Sequence, residues 1–346
     1  MPTHSYNAER AFQRDVAQWR ALLRHGAKTV HAASHLLPKR VRDPATALYA
    51  FCRQADDAVD LEGAEVDAVR RLKLRLERFY QGQPVSSPVD RALAYVVETY
   101  AIPKALPDAL IEGISWDDEE RTYDSIEDLY DYAARVAGAV GAMMALLMGV
   151  RDPVAIARAC DLGVAMQLSN IARDVGEDAF NGRSYIPGEW LYDVGLIPEV
   201  FVAEPEWTPE LAGVVKRLVD TAEELYARSE HGIAQLPFDC RPGIRAARLC
   251  YAAIGHKAVS PGHNPVTQRA IVSKGSKIGM LAKAVGQTPF GKPVLDAPAL
   301  PACQFLVDAI EMTPLPQRSA AEQSAEPGWW RFDKRTERAL ELMLQV

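Results

Sequence analysis

Cysteine is scarce and scattered along this chain. Five occur in 346 residues, at Cys52, Cys160, Cys240, Cys250 and Cys303, an odd count with no Cys-x-x-Cys. That argues against a disulfide framework and predicts reduced thiols in a cytoplasmic protein. Long runs of lysine or arginine are also missing and the net charge is −7, so nucleic acid has no electrostatic footprint to bind. The first thirty residues are polar and mixed in charge, without a signal-peptide core. Alternating strand-type runs are few, and no Gly-x-Gly-x-x-Gly follows a strand, which removes the support for a Rossmann nicotinamide site. No repeat of fixed period occurs.

What the chain does have is apolar content of 48% with 25% charged residues, ample for a large packed core. Helical periodicity runs near 8–25, 44–61, 65–80, 89–100, 104–119, 125–149, 153–179, 208–236, 241–257 and 265–284, punctuated by Pro, Gly and Asp/Asn. Asp43-Pro44 reads as a helix start, with the aspartate as N-cap and proline in the first turn. Residues 133–150 (AARVAGAVGAMMALLMGV) are about as long as a membrane span. They contain Arg135 and are rich in alanine and glycine, so they read as a tightly packed core helix.

The composition changes after 286, where Pro289, Pro293, Pro298, Pro301, Pro314 and Pro316 interrupt the chain. The expectation is one helical domain over 1–286 and a Pro-rich extension over 287–346, wrapped on the body or leaving it. Its last segment, 329–346, mixes Trp329, Trp330 and Phe332 with Arg331, Lys334, Arg335 and Arg338. That pattern suits a short amphipathic helix, docked on protein or lying at a membrane surface.

Two Asp-x-x-x-Asp pairs carry the chemistry: Asp56 and Asp60 in YAFCRQADDAVD, and Asp174 and Asp178 in QLSNIARDVGEDAFNGRSYIP. Four residues advance about 400° on an α-helix, so each pair projects from one face. Like charges at that spacing repel, and aligned carboxylates are ligands that a hard cation such as Mg²⁺ accepts. Gln167, Asn170, Asp174 and Asp178 fall within an arc of about 80°. Toward the N-terminus the same stripe passes Gly163, Cys160 and Ile156. On the first helix Ala45, Tyr49, Cys52, Arg53, Asp56 and Asp60 share a broad face. Two such helices, facing each other, would enclose a cavity with metal at its mouth and apolar walls below, a shape suited to a diphosphate head on a hydrocarbon tail. The run Asp117-Asp118-Glu119-Glu120 reads as a solvated helix end. His31 and His35 are four apart, but no Glu follows His31 as a zinc-protease helix requires.

These segments resemble the two signature segments of the squalene/phytoene synthase family. DLYDYAARVAGAVGAMM resembles that family's Tyr-containing Val-Ala-Gly helix, KTVHAASHLLPKR its N-terminal substrate-binding segment, and Arg269 through Lys277 a C-terminal Arg…Val-Ser…Lys pattern. The resemblance covers about residues 20–285. It departs from the family at Ala27-Lys28-Thr29-Val30-His31, where relatives commonly read Ser-Lys-Thr-Phe-Tyr, so a serine hydroxyl and a cavity aromatic are missing.

The resemblance implies an all-α fold, the isoprenoid-synthase (class I terpenoid synthase) helix bundle around a central cavity. It implies that Asp56, Asp60, Asp174 and Asp178, supported by Asn170 and Gln167, hold Mg²⁺ (with Mn²⁺ able to stand in). Arg53, Arg173 and Arg269, with Lys28, would contact substrate diphosphates, and Tyr49, Tyr132, Tyr185 and Tyr251 would line the reaction cavity. The implied reaction joins two geranylgeranyl diphosphates head to head through a cyclopropyl diphosphate to give phytoene, with no NADPH. Alternatives are a squalene or dehydrosqualene synthase acting on farnesyl diphosphate, and a non-catalytic prenyl-lipid binding subunit. A hydrocarbon product implies a cytoplasmic protein peripherally associated with the inner membrane.

Overall fold

A computed structural model describes residues 9, 11–16, 35–60, 68–83, 87–288 and 292–314, the side chains of 56–60 excepted. Among them every regular element is helical. The helices are α1 (Lys39–Asp60), α2 (Ala68–Tyr80), α3 (Pro88–Tyr100), α4 (Ala105–Asp118), α5 (Ile126–Ala133), α6 (Ala139–Leu147), α7 (Pro153–Phe180), α8 (Gly188–Tyr192), α9 (Pro198–Ala203), α10 (Pro209–Ile233), α11 (Arg241–Ala258), α12 (Lys274–Gly286) and α13 (Gln304–Glu311). A five-residue π turn, Ala134–Gly138, joins α5 to α6. Lys28, and the terminal segment 329–346, lie outside the described residues.

Local chemistry sets most of the starts. Ser87, Ser125, Asp152, Thr208 and Ser273 each accept a hydrogen bond from a backbone N–H in the first turn of the helix that follows, satisfying donors that have no partner within the helix. Pro88, Pro153 and Pro209 follow three of these caps, where a missing N–H costs nothing. The expected start at Asp43-Pro44 is overturned: α1 begins at Lys39 and contains Pro44. Proline cannot donate to the carbonyl four residues back, and the Arg40 carbonyl instead accepts from the Tyr100 hydroxyl at 3.0 Å. A tertiary contact offsets the local defect. The expected helix over 265–284 is also shorter than read, beginning only at Lys274.

The long helix α7 is the axis of the bundle and packs on α10, α11, α6 and the π turn. Its small residues permit close crossings. A Cβ on Gly163 would lie 2.3 Å from the Ala137 carbonyl oxygen, and one on Gly141 would lie 2.3 Å from that of Ala159. The 133–150 stretch is therefore a core helix pressed onto α7, with Ala139, Ala142 and Ala145 fully buried. Among the described residues no helix is long and apolar enough to cross a membrane.

Gly141→Ala should destabilise the fold by about 1–3 kcal/mol, the usual cost of overpacking a fixed backbone contact. Gly213 on α10 is exposed and its Cβ would meet nothing. Gly213→Ala should be neutral or stabilising by about 0.5–1 kcal/mol, because alanine loses less entropy in a helix. Urea unfolding of the two variants beside the parent chain checks the opposite signs.

The segment after α12 returns to the body. Cys303, Leu306, Val307 and Ile310 join the main core. Upstream of them, carbonyls of Pro293, Leu295 and Pro298 are bound by His231, Arg158 and Arg228. Pro293 and Pro298 have no N–H to donate, and the Leu295 carbonyl accepts from the Ala297 N–H at 2.9 Å as well as from Arg158.

Candidate active site

A cavity of about 340 Å³ runs along α7, within the range of small-molecule sites. At one end Gln167 and Asn170 of α7 face Tyr49 and Cys52 of α1 and Tyr251 of α11. At the other end stand Ala155, Arg158 and Ala159 of α7 with Ser229 and Gly232 of α10. Between them the walls are mostly apolar, with Val140 and Met144 of α6 opposite Gly163 and Met166, and Arg42 and Thr46 of α1 also line the cavity. The expected α7 stripe is thus realised with one change. Cys160 and Ile156 are fully buried away from the cavity, and their neighbours Ala159 and Ala155 take the lining positions. The thiol of Cys160 turns to Cys303 under the strap.

One turn beyond Asn170 the charges gather. Arg173 donates from Nε to Asp174 Oδ1 at 2.7 Å and from Nη2 to Oδ2. Arg269 Nε is 3.1 Å from the same Oδ1, and its Nη1 is 3.5 Å from Glu177 Oε2. The approach of Arg269 depends on Gly176, where a Cβ would sit 2.2 Å from the Val266 carbonyl oxygen. Without a side chain there, the turn around Val266 rests directly on α7. Asn264 Oδ1 secures that turn by accepting from the backbone N–H groups of Val266 and Thr267 at 2.9 and 3.3 Å. The two arginines come from sequence positions far apart and converge on one carboxylate.

Asp178 has its pKa pushed up to about 7, chiefly by burial and further by the negative charges of Asp174, Glu177 and Asp117. Asn170 Oδ1 is buried and accepts no hydrogen bond among the described residues. Both features fit a divalent cation: it would relieve the crowded carboxylates and use the unpartnered amide oxygen, all hard oxygen ligands. Among the described side chains no group of three or more His, Cys, Asp and Glu is gathered as a metal cluster. Asp56 and Asp60 stand on the last turns of α1, and their side chains lie outside the described residues. Arg53 is exposed one residue beyond Cys52 and does not line the cavity.

Tyr49 and Tyr251 face one another across the cavity's polar end. Burial raises the Tyr251 pKa, and the nearby Arg173 charge opposes the shift. Tyr132 and Tyr185 are placed differently. Their rings stack with centroids 5.1 Å apart, and neither lines the central cavity. Both hydroxyls donate to Asp117, Tyr132 at 3.0 Å and Tyr185 at 2.7 Å. The π turn that follows α5 separates Tyr132 from the cavity-lining Val136 by breaking the i, i+4 register. Burial is the main reason the pKa of each tyrosine is raised, with the Asp117 charge next.

Asp117 is the residue that sequence reasoning missed. Asp118, Glu119 and Glu120 are exposed as expected of a solvated helix end. Asp117 continues the buried stripe of α4 through Leu106, Leu110 and Gly113. That periodicity was the available signal, and the acidic run after it masked it.

A model of the squalene/phytoene synthase family matches residues 23–276. The phytoene synthase of Rhodobacter capsulatus is 49% identical over 321 residues, covering 90% of this chain and 94% of that protein. The phytoene synthase of Cereibacter sphaeroides is 49% identical over 323 residues, covering 89% and 91%. A crystal structure of a dehydrosqualene synthase in complex with ligand superposes with a TM-score of 0.72 at 28% identity, over 82% of this chain and 99% of that one. The bundle is that of the class I isoprenoid synthases. The chain belongs to the squalene/phytoene synthase family.

Proposed function

We propose that this chain is a phytoene synthase, condensing two geranylgeranyl diphosphates head to head through a cyclopropyl diphosphate and releasing diphosphate. The observation that carries this reading is the cavity itself, polar at Asn170 and mostly apolar from there to Ala155. Arg158, which lines that end, is twelve residues from Asn170 on one helix, about 18 Å at 1.5 Å per residue, a depth comparable with an extended twenty-carbon prenyl chain. The names of the relatives at 49% identity agree with it.

The residues assigned to Mg²⁺ are Asn170, Asp174 and Asp178, with Asp56 and Asp60 from the facing helix. When bound, the cation offsets the negative charge that grows on a departing diphosphate. The protein's own groups do the rest. Arg173 and Arg269, already converged on Asp174, can turn their remaining N–H donors to diphosphate oxygens as the C–O bond breaks. The apolar walls keep water from the allylic cation left behind. Tyr49 and Tyr251 present π faces to that positive charge. The second chain's double bond supplies the electrons for the new C–C bond, and loss of a proton closes the cyclopropane. The later ionisation, rearrangement and proton loss that give the linear triene use the same apolar enclosure.

Phe180 and Ile271 are exposed beside Arg269, and we place this face against the lipid surface from which an amphiphilic substrate arrives. The chain is then a peripheral protein of the cytoplasmic face.

The test is product extraction and chromatography after incubation with geranylgeranyl diphosphate and phospholipid vesicles, with and without Mg²⁺ and with no nicotinamide. A Mg²⁺-dependent forty-carbon triene, with the chain recovered on the vesicles, is the expected result. Hydrocarbon that appears only with farnesyl diphosphate or NADPH would transfer the assignment to the squalene side of the family. Binding without any diphosphate release would point to a prenyl-lipid carrier.

A further inference from the structure

The apolar end of the cavity contains a charged residue. Arg158 lines it, yet its side chain is fully buried and turned outward at every polar atom. Nε is 2.7 Å from Asp161 Oδ2, a carboxylate that is also fully buried. Nη1 donates to the Leu295 carbonyl at 3.3 Å and Nη2 to the Pro298 carbonyl at 2.9 Å. Arg228 reinforces the same corner, bonding Asp161 Oδ2 at 2.9 Å and the Pro298 carbonyl at 2.8 Å. His231 Nδ1 is 2.7 Å from the Pro293 carbonyl oxygen.

The aliphatic stem closes this end of the cavity from behind, with no accessible surface of its own. It passes so close to α10 that a Cβ on Gly232 would lie 2.4 Å from Arg158 Cβ and 3.2 Å from Cγ. The stem is wedged between two helices, while its charge is neutralised by Asp161 and solvated by strap carbonyls. This is how a long cationic side chain can serve as an apolar wall: the stem covers hydrocarbon and the head finds polar partners elsewhere. Twelve residues separate Arg158 from Asn170, about 18 Å along the helix axis. Ala159, beside it, is the small residue that leaves the last stretch open.

We propose that the Arg158 stem, held outward by the 293–298 strap, is the floor of the prenyl cavity and, with Ala159, sets the chain length the site accepts. The inference rests on reading the cavity as a prenyl diphosphate site and adds which residues limit it. It also gives the strap a part in substrate selection. An unclamped Arg158 would bring its guanidinium among methylenes, where burial of an unpaired charge is strongly unfavourable, so strap and floor act together.

The experiment measures binding rather than turnover. Fifteen-, twenty- and twenty-five-carbon prenyl thiodiphosphates, which do not ionise readily, are titrated calorimetrically into the full chain and two variants. Ala159→Phe raises the floor and should shift the fifteen- to twenty-carbon affinity ratio toward the shorter chain by about tenfold or more, as expected when methylenes are displaced from an apolar pocket. Arg158→Ala lowers the floor and should shift the ratio toward the twenty-five-carbon chain by about the same factor. Should Arg158→Ala fail to fold, Ala159→Phe alone decides. Parent-like ratios in folded variants overturn the proposal. If the parent chain binds none of the three, the prenyl diphosphate reading falls first and the proposal with it.

Discussion

Asp174→Asn is expected to lower turnover by about 10²–10³-fold or more, the loss seen when one electrostatic partner of a developing charge is removed. The bundle should stay folded. Asparagine keeps an oxygen where Arg173 Nε donates at 2.7 Å, and the helix around it is fixed by Ile171, Ala172 and Val175 in the core. What disappears is the negative charge that Arg173 and Arg269 share in the free protein and that a cation would take up in the loaded one. Two readouts separate this from a general loss of structure. Circular dichroism and the unfolding midpoint should remain near the parent values. Mg²⁺ titration followed by calorimetry should show weakened binding even where no turnover occurs. Parent-like rates at limiting Mg²⁺ would remove Asp174 from the site.

Asp117→Ala is expected to cost about 1–3 kcal/mol of stability, because it removes the carboxylate that accepts from both hydroxyls and leaves at least one of them short of an acceptor. Tyr132 is almost fully buried and cannot turn to water. Tyr185 is stacked on Tyr123 as well, with centroids 5.9 Å apart, so neither ring can move without disturbing the other. Asp117→Asn offers an oxygen to one hydroxyl and an N–H to the other, and should recover most of the stability. Guanidinium unfolding of both variants measures the difference. An alanine variant as stable as the parent would mean that the two hydrogen bonds do not hold the cluster together.

Much of this protein is written locally. Paired aspartates at i and i+4, caps followed by proline, and long 3.6-residue patterns each depend on neighbours within a turn or two. For that reason the helices α2 to α7, α10 and α11 lie close to where their periodicity places them. Family membership is local in the same sense, since it rests on contiguous segments around Asp56 and Asp174. The misread places are those where a distant partner intervenes. Pro44 sits inside a helix because Tyr100, far along the chain, supplies the missing donor. Arg269 reaches Asp174 because Gly176 lets a turn rest on α7.

The same division runs through the site. Sequence alone determined which residue types stand on which helix faces: the acidic pairs, the Gln167–Asn170 stripe, and the small residues that let helices cross. Only the tertiary structure decided that Asp117 turns inward to two tyrosines, that Tyr132 and Tyr185 stand apart from the central cavity, and that the Arg158 guanidinium donates to carbonyls of a strap more than 130 residues away in the chain. Periodicity reports the direction of a side chain about its own helix axis. Whether that direction meets water, a carboxylate or a hydrocarbon wall depends on packing between segments distant in sequence, and local pattern carries no record of it.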